Sequence, residues 1–149
     1  MKKFKFRYES ILTLRLNAED DVKNELAAKI AKRQKLMDER DTMLRRRSDY
    51  DQHIQAMVKA GCRAETLQAI KDGKDYYRRH LNRLDASIEA MDREVEETQE
   101  RLVEAVKARK IMEKVKENEY TQFMDEFNRD EQKVIEEIVN YKNNKTVRD

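Results

Sequence analysis

The residues of this chain that could carry chemistry are two histidines, one cysteine and many carboxylates. His53 and His80 do not stand at metal-ligand spacing, and two glycines cannot build a phosphate-binding loop. Cys62 is the only cysteine, so an internal disulfide is impossible and a reducing compartment is expected. The 31 acidic residues alternate with 33 basic ones, which indicates solvated helix faces rather than acid–base catalysis. We predict no catalytic residue, no metal site and no cofactor.

The three consecutive arginines at 45–47 are the candidate for binding nucleic acid or anionic lipid. Consecutive residues of a helix point about 100° apart, so the run encircles the helix and forms no single basic stripe. The net charge of the whole chain is only +2. Salt bridging to a neighbouring helix is the favoured role, ahead of docking to a protein and of nucleic-acid binding. We expect no nucleic-acid partner.

The composition predicts long helices. Charged residues make up 43% of the chain, compared with about 25% in an average globular protein. Proline is absent, and apolar residues recur at helical spacing. Such a sequence cannot form a thick core, but its helices can wind together along narrow apolar stripes. No stretch approaches the ~18 apolar residues of a membrane span, so we expect a cytosolic protein without direct membrane insertion.

The second half of the chain carries the clearest coiled-coil repeat. From Tyr77 to Ala105 the seam positions alternate spacings of four and three, with Thr98 as the one polar member. After Met112 the phase shifts by the four residues of a stutter. The new track runs through Tyr120, Phe127, Val134 and Tyr141.

Gly61 separates this half from a similar but less regular first half. Glycine adopts the left-handed conformation that commonly ends a helix, whereas Gly73 is expected inside the second helix at a cost of about 1 kcal/mol. Two amphipathic helices joined by a short loop fold back on each other. The sequence therefore predicts an all-α protein: two long helices in an antiparallel coiled-coil hairpin, with helix 2 longer than helix 1. In a single domain over 1–149, the predicted boundaries are about 4–60 for helix 1, 61–64 for the turn, 65–142 for helix 2 and 143–149 for a frayed tail.

A turn near position 62 also predicts the pairing of the helices. Residues face each other when their numbers add up to about 124, so Phe4 meets Tyr120 and helix 2 has no partner in its own chain beyond that point. A long apolar stripe follows, made of Phe123, Phe127, Val134, Ile138 and Tyr141. Exposed apolar stripes usually mark contact surfaces. Two interpretations stay open: the stripe binds a partner protein, or it is covered by the N-terminal segment or by a second copy of the chain.

Charge and aromatic residues are unevenly distributed. Residues 29–47 hold eight bases against three acids, whereas 113–137 hold nine acids against four bases. Near the turn, Tyr50 and Tyr77 fall on the seam, and Tyr76 must point elsewhere. Core packing is the simpler role for this cluster, and a second binding patch is the alternative.

The two ends of the chain carry short motifs. Residues 4–15 read FKFRYESILTLR, and residues 129–138 read RDEQKVIEEI. The first is similar to the F-x-F-R-L-E-S-[VI]-L-x-L-R stretch of the FliJ family of flagellar type III export proteins, with Tyr8 in place of the usual leucine. The second resembles that family's E-Q-K-x-x-D-E-[IL] ending, with Glu136 where aspartate is common. The turn at Gly61 lies where the family has its hairpin.

This resemblance implies a fold similar to the central stalk of rotary ATP synthases. It implies a non-catalytic monomer that binds the hexameric export ATPase, the cytoplasmic domain of the export gate membrane protein and the export chaperones. It also implies a cytoplasmic location, with peripheral association to the inner membrane through the export apparatus. By position, the candidate ATPase-binding residues are Phe4, Phe6, Arg7, Phe123, Phe127, Gln132, Val134 and Ile138. The candidate gate-binding residues are Met43, Tyr50 and Tyr77.

Two other functions fit the same pattern. One is the equivalent stalk protein of a virulence type III secretion injectisome, and the other is a structural coiled coil that self-associates. A stalk should stay monomeric, whereas a scaffold should assemble as its concentration rises.

Overall fold

Two long helices make up most of the chain. The structure is a computed structural model that describes the backbone of residues 2–148 and the side chains of residues 2–147. Helix α1 spans Glu9–Ala60 and helix α2 spans Ala64–Arg148, and residues 2–148 contain no strand. The all-α class, the two-helix hairpin and the longer second helix are confirmed. By packing, the described residues divide into a terminal unit, 2–20 with 104–148, and a turn unit, 21–103.

The turn forms at Gly61, as predicted. Gly61 has a φ of 88°, in the left-handed region that side chains with a Cβ disfavour. Its amide donates to the carbonyl oxygen of Val58 at 3.2 Å, which closes the last turn of α1. The loop covers residues 61–63, and α2 begins at Ala64, one residue earlier than predicted.

In the turn unit, α1 and α2 run antiparallel along one apolar seam. The core cluster consists of Met43, Leu81 and Leu84, with Leu36, Leu44 and Tyr77 packed against it. Ile54, Ile88 and Met91 are also buried. Burial of such side chains stabilises the fold by about 1.5–3 kcal/mol each, so the seam is the main source of stability here.

Ion pairs flank this seam and set its register. They join Arg33 with Asp92, Arg40 with Asp85, and Glu25 with Arg101. The residue numbers of each pair add up to 125 or 126, close to the predicted 124. Each partly exposed pair contributes only about 0.2–1 kcal/mol, so these pairs select the register more than they hold the helices together.

Thr98 is the polar member of the seam and is completely buried. Its hydroxyl donates to the carbonyl oxygen of Glu94 at 2.7 Å and accepts a hydrogen bond from Nζ of Lys29 at 2.9 Å. A buried hydroxyl with both a donor and an acceptor costs little, because its hydrogen bonds replace those to water.

The terminal unit differs from the sequence prediction at its N-terminus. Helix α1 begins at Glu9 rather than near residue 4, and residues 2–8 form a non-helical segment, called the strap below. In a helix, Phe4 and Phe6 would point to different sides, whereas in an extended segment residues two apart share a side. Phe4 contacts Tyr120, and the buried ring of Phe6 has its centroid 5.9 Å from Nζ of Lys116, so the non-helical strap brings both rings against α2.

The C-terminal end also differs, since α2 remains helical to Arg148 rather than ending at 142. The fraying of residues 143–149 and the single domain over 1–149 stay predictions, and Met1 and Asp149 lie outside the described residues.

Candidate partner-binding site

The strap lies across the aromatic part of α2. The ring of Phe4 meets Tyr120 edge to face, with centroids 5.2 Å apart, and lies 5.6 Å from Phe123. Phe6 is 8% exposed, and Nζ of Lys116 lies 5.9 Å from its ring centroid. Tyr120 is therefore not the last residue of α2 with a partner, because the strap reaches Phe123. The interpretation that the N-terminal segment covers part of the stripe is correct for this portion.

A groove of about 590 Å³ opens next to the strap. Its apolar lining comes from Phe123, Phe127, Val134 and Ile135, and its polar lining from Lys2, Glu126, Asp130 and Glu131. The rings of Phe123 and Phe127 stack at 6.4 Å and are half-buried. We call the four apolar lining residues the floor of the groove and the three acidic ones its rim.

Beyond Phe127 the apolar stripe is uncovered. Every residue from 128 to 147 is exposed. Val134 is 55% exposed, Ile138 51% and Tyr141 70%. These are large values for apolar side chains at helical spacing, so this face of α2 is available to another molecule.

The remaining residues predicted for the ATPase end are both exposed. Gln132 lies on the uncovered part of α2. Arg7 places its guanidinium 4.7 Å from the ring centroid of Tyr8, an intramolecular cation–π contact worth about 0.5–1 kcal/mol at an exposed site.

The residues predicted for the export gate lie in the turn unit and differ in accessibility. Met43 is buried in the core cluster, so it presents no surface to a partner. Tyr50 and Tyr77 are half-buried and pack against each other at 5.3 Å. Tyr76 is 52% exposed and stacks on His80, with ring centroids 6.0 Å apart. Tyr76 is therefore the exposed member of this cluster, and His80 is half-buried like Tyr50 and Tyr77.

A buried carboxylate braces the two helices within the terminal unit. Glu19 is 4% exposed and accepts a hydrogen bond from Nε of Arg109, which also donates through Nη1 to Glu113 at 2.8 Å. The hydrogen bonds to Glu19 and then to Glu113 raise the pKa of Arg109 above its ordinary value. Because Arg109 stays charged, these contacts serve helix pairing rather than proton transfer.

Other kinds of site find no support in the described part of the chain. Among residues 2–148, no three His, Cys, Asp or Glu side chains are grouped as ligands of a metal ion would be. Over the same residues, neither helix has a segment long and apolar enough to cross a bilayer.

A comparison with protein families identifies the relatives of this chain. A family model described as "Flagellar FliJ protein" matches residues 4–146, which is nearly all of the 149 residues. The chain belongs to the FliJ family. No curated protein and no solved structure gave a match to this FliJ chain. Membership makes it a non-catalytic coiled-coil component of flagellar protein export that interacts with other components of the export apparatus.

The structure of this FliJ protein brings together some of the predicted residues and adds others. Phe4, Phe123, Phe127 and Val134 meet at the strap and the groove. Lys2 and Ile135 also line the groove and were not predicted from the sequence. The alternation of bases and aromatics at residues 2–8 was the available signal, because it is typical of an extended segment rather than a helix.

Proposed function

We propose that the chain binds the ring of the hexameric export ATPase as a central-stalk-like component of the flagellar export apparatus. In this role it also links the ATPase to the cytoplasmic domain of the export gate and to the export chaperones. It acts in the cytoplasm as a monomer and associates with the inner membrane through the apparatus. The match to the flagellar family favours this system over a virulence injectisome.

The observation that carries the proposal is the uncovered apolar stripe on α2. Val134, Ile138 and Tyr141 are each at least half exposed, although their spacing is that of a helix face made for packing. About 25 cal/mol is gained for each Å² of apolar surface removed from water, so binding to a partner would stabilise this face. The family of the chain supplies the class of partner, a component of the export apparatus.

A second surface supports contact with the gate. On the turn unit, Tyr76 is 52% exposed and stacks on His80, which is half-buried like the neighbouring Tyr50 and Tyr77. Aromatic side chains are enriched at the centres of protein interfaces. The gate role therefore belongs to Tyr76 and His80 more than to the buried Met43.

The experiment compares two double variants in binding to the purified export ATPase. Phe127→Ser with Val134→Ser removes apolar anchors from the stripe, and weaker binding by about tenfold or more is expected. Val103→Ser with Ile111→Ser is the matched control, because both residues are at least half exposed on α2 outside the stripe. Equal ATPase binding by the wild type and the stripe variant would overturn the proposal.

Sedimentation of the same proteins tests the second candidate, a self-associating structural coiled coil. The exposed Val134, Ile138 and Tyr141 are also the observation that favours it. The stalk proposal expects a monomer throughout a concentration series. A wild type that dimerises, together with a stripe variant that stays monomeric and keeps its affinity for the ATPase, would establish self-association instead.

A further inference from the structure

We propose that the groove between the strap and Ile135 is a docking site for a basic segment with aromatic anchors, supplied by a partner protein. The inference rests on the proposed function, since it takes this face of α2 as a surface for a partner, and it adds the chemistry of the segment that the partner presents.

The charge of the groove selects a basic occupant. Three of the polar residues that line it are acidic, Glu126, Asp130 and Glu131, and all three are exposed. Glu126 and Asp130 are four residues apart and so lie on the same side of the helix. Opposite charges along an interface steer the partner and exclude acidic competitors, so this rim favours lysine and arginine.

The floor of the groove selects anchors that are apolar and flat. Phe127 and Val134 are seven residues apart and so share one face of α2, and Ile135 adds to the lining. Phe123 and Phe127 already stack as a pair, at 6.4 Å, and present ring surface to the groove. Aromatic side chains fill such sites well, because offset ring contacts add about 0.5–1.5 kcal/mol to the burial of their area.

The strap provides an example of this chemistry inside the same unit. Its sequence, KKFKFRY, alternates bases with aromatic rings. Phe4 is anchored on Tyr120 and Phe123, and Lys3, Lys5 and Arg7 line a shallow pocket together with Glu119 and Glu126. Lys2 reaches the edge of the groove itself. Up to Phe123, α2 thus contacts a basic, aromatic segment through its rings, with bases and acids lining the same pocket. Acidic and apolar residues continue along α2 beyond the strap, to Ile135.

The test uses the full chain and two synthetic peptides. One has the sequence KKFKFRY, and its twin has glutamate in place of every lysine and arginine. Binding is followed by fluorescence anisotropy, and the site is mapped from chemical-shift changes at Phe127 and Val134. The basic peptide is expected to bind with shifts at both residues, and the acidic twin to bind at least about tenfold more weakly.

Charge-reversal variants separate this site from general attraction to acidic protein. Glu126→Lys, Asp130→Lys and Glu131→Lys, combined in one chain, should reverse the preference between the two peptides. The matched control combines Glu96→Lys, Glu97→Lys and Glu100→Lys, three exposed acids of the turn unit, and should leave the preference unchanged. The inference is wrong if both triple variants lose affinity for the basic peptide equally. It is also wrong if the wild type binds the acidic twin as tightly as the basic peptide. A wild type that dimerises through Phe127 would make a second copy the occupant and would also overturn it.

Failure of this inference can be told apart from failure of the proposed function. If the export ATPase binds through Phe127 and Val134 but the peptides show no preference set by Glu126, Asp130 and Glu131, only the inference fails. If the peptides behave as expected but the ATPase binds the Phe127→Ser, Val134→Ser variant normally, the groove serves another partner and the ATPase proposal fails.

Discussion

Tyr50 of α1 occupies the space that a side chain at position 73 of α2 would need. A Cβ added to Gly73 would overlap the phenol oxygen of Tyr50 and the ring carbon that bears it. In this position the Tyr50 hydroxyl donates to the carbonyl oxygen of Ile70 at 3.2 Å, and its ring packs on Tyr77. A glycine inside a helix costs about 0.5–1 kcal/mol relative to alanine, and here that cost permits the close approach of a tyrosine.

The effect of Gly73→Ala on stability should therefore depend on Tyr50, destabilising when Tyr50 is present and stabilising when it is replaced. With Tyr50 present, the added methyl group displaces its side chain, which loses the hydrogen bond to Ile70 and the ring contact with Tyr77. Each contact is worth about 0.5–1.5 kcal/mol, so a net loss of stability is expected. In a Tyr50→Ala background the same substitution should stabilise the helix by about 0.5–1 kcal/mol. Urea unfolding of the four proteins measures both effects, and a stabilising Gly73→Ala in the wild type would contradict this interpretation.

Gly61→Ala should destabilise the turn. The φ of 88° at Gly61 costs a residue with a Cβ about 1–2 kcal/mol, although nothing lies within 4 Å of the space that the Cβ would occupy. Gly61→Asn should cost less, because asparagine tolerates the left-handed region. Thermal unfolding of both variants tests this, and equal losses would show that φ is not the cause.

Thr98→Val should lower stability by about 1 kcal/mol, because it removes the hydroxyl that accepts a hydrogen bond from Lys29 within the seam. Replacing both partners, Thr98→Val with Lys29→Met, should recover most of that loss, since two apolar side chains of similar size leave no buried group unsatisfied. Denaturant unfolding of the wild type, the two single variants and the double variant forms a complete cycle. Strictly additive losses would refute a coupling between Lys29 and Thr98.

Acid should weaken the turn unit partly through Glu25. Hydrogen bonds from Arg101 and then Lys29 lower the pKa of Glu25 below its ordinary value of 4.5, against an opposing effect of burial. The unfolded chain therefore takes up the proton at higher pH than the folded one. The stability from Glu25 is fully present above pH 4.5 and is lost as the pH falls through the folded pKa. In the Glu25→Gln variant, the urea midpoint should fall less steeply than in the wild type as the pH drops below 4.5. In the control Glu96→Gln, at an exposed site, the midpoint should fall as in the wild type.

Phe4→Ser should release the strap from α2. The substitution removes the two ring contacts with Tyr120 and Phe123, which together are worth about 1–3 kcal/mol. Trypsin should then cut faster after Lys5 and Arg7, while cleavage after Lys142 keeps its rate. Leu14→Ser is the control, because Leu14 is 64% exposed on α1. Unchanged cleavage at Lys5 in the Phe4→Ser variant would mean that these rings do not hold the strap.

Much of the fold could be predicted from local patterns. The alternating spacing from Leu81 to Met91 marks the buried face of α2 because a helix exposes or buries residues according to a fixed period. Gly61 could be placed in the turn and Gly73 in the helix, since only the first is followed by a break in the apolar pattern. The pairing of Phe4 with Tyr120 then followed from counting residues away from the turn.

Only the tertiary structure decided which predicted residues are accessible and how the strap lies. Met43 and Tyr50 share a heptad track, but one is buried in the core and the other fits against a glycine on the facing helix. The strap is not helical, and it places two aromatic rings, two residues apart, against residues of α2 that are distant in the sequence. Periodicity reports which side of a helix is apolar; what covers that side depends on residues distant in sequence, and therefore on the folded chain.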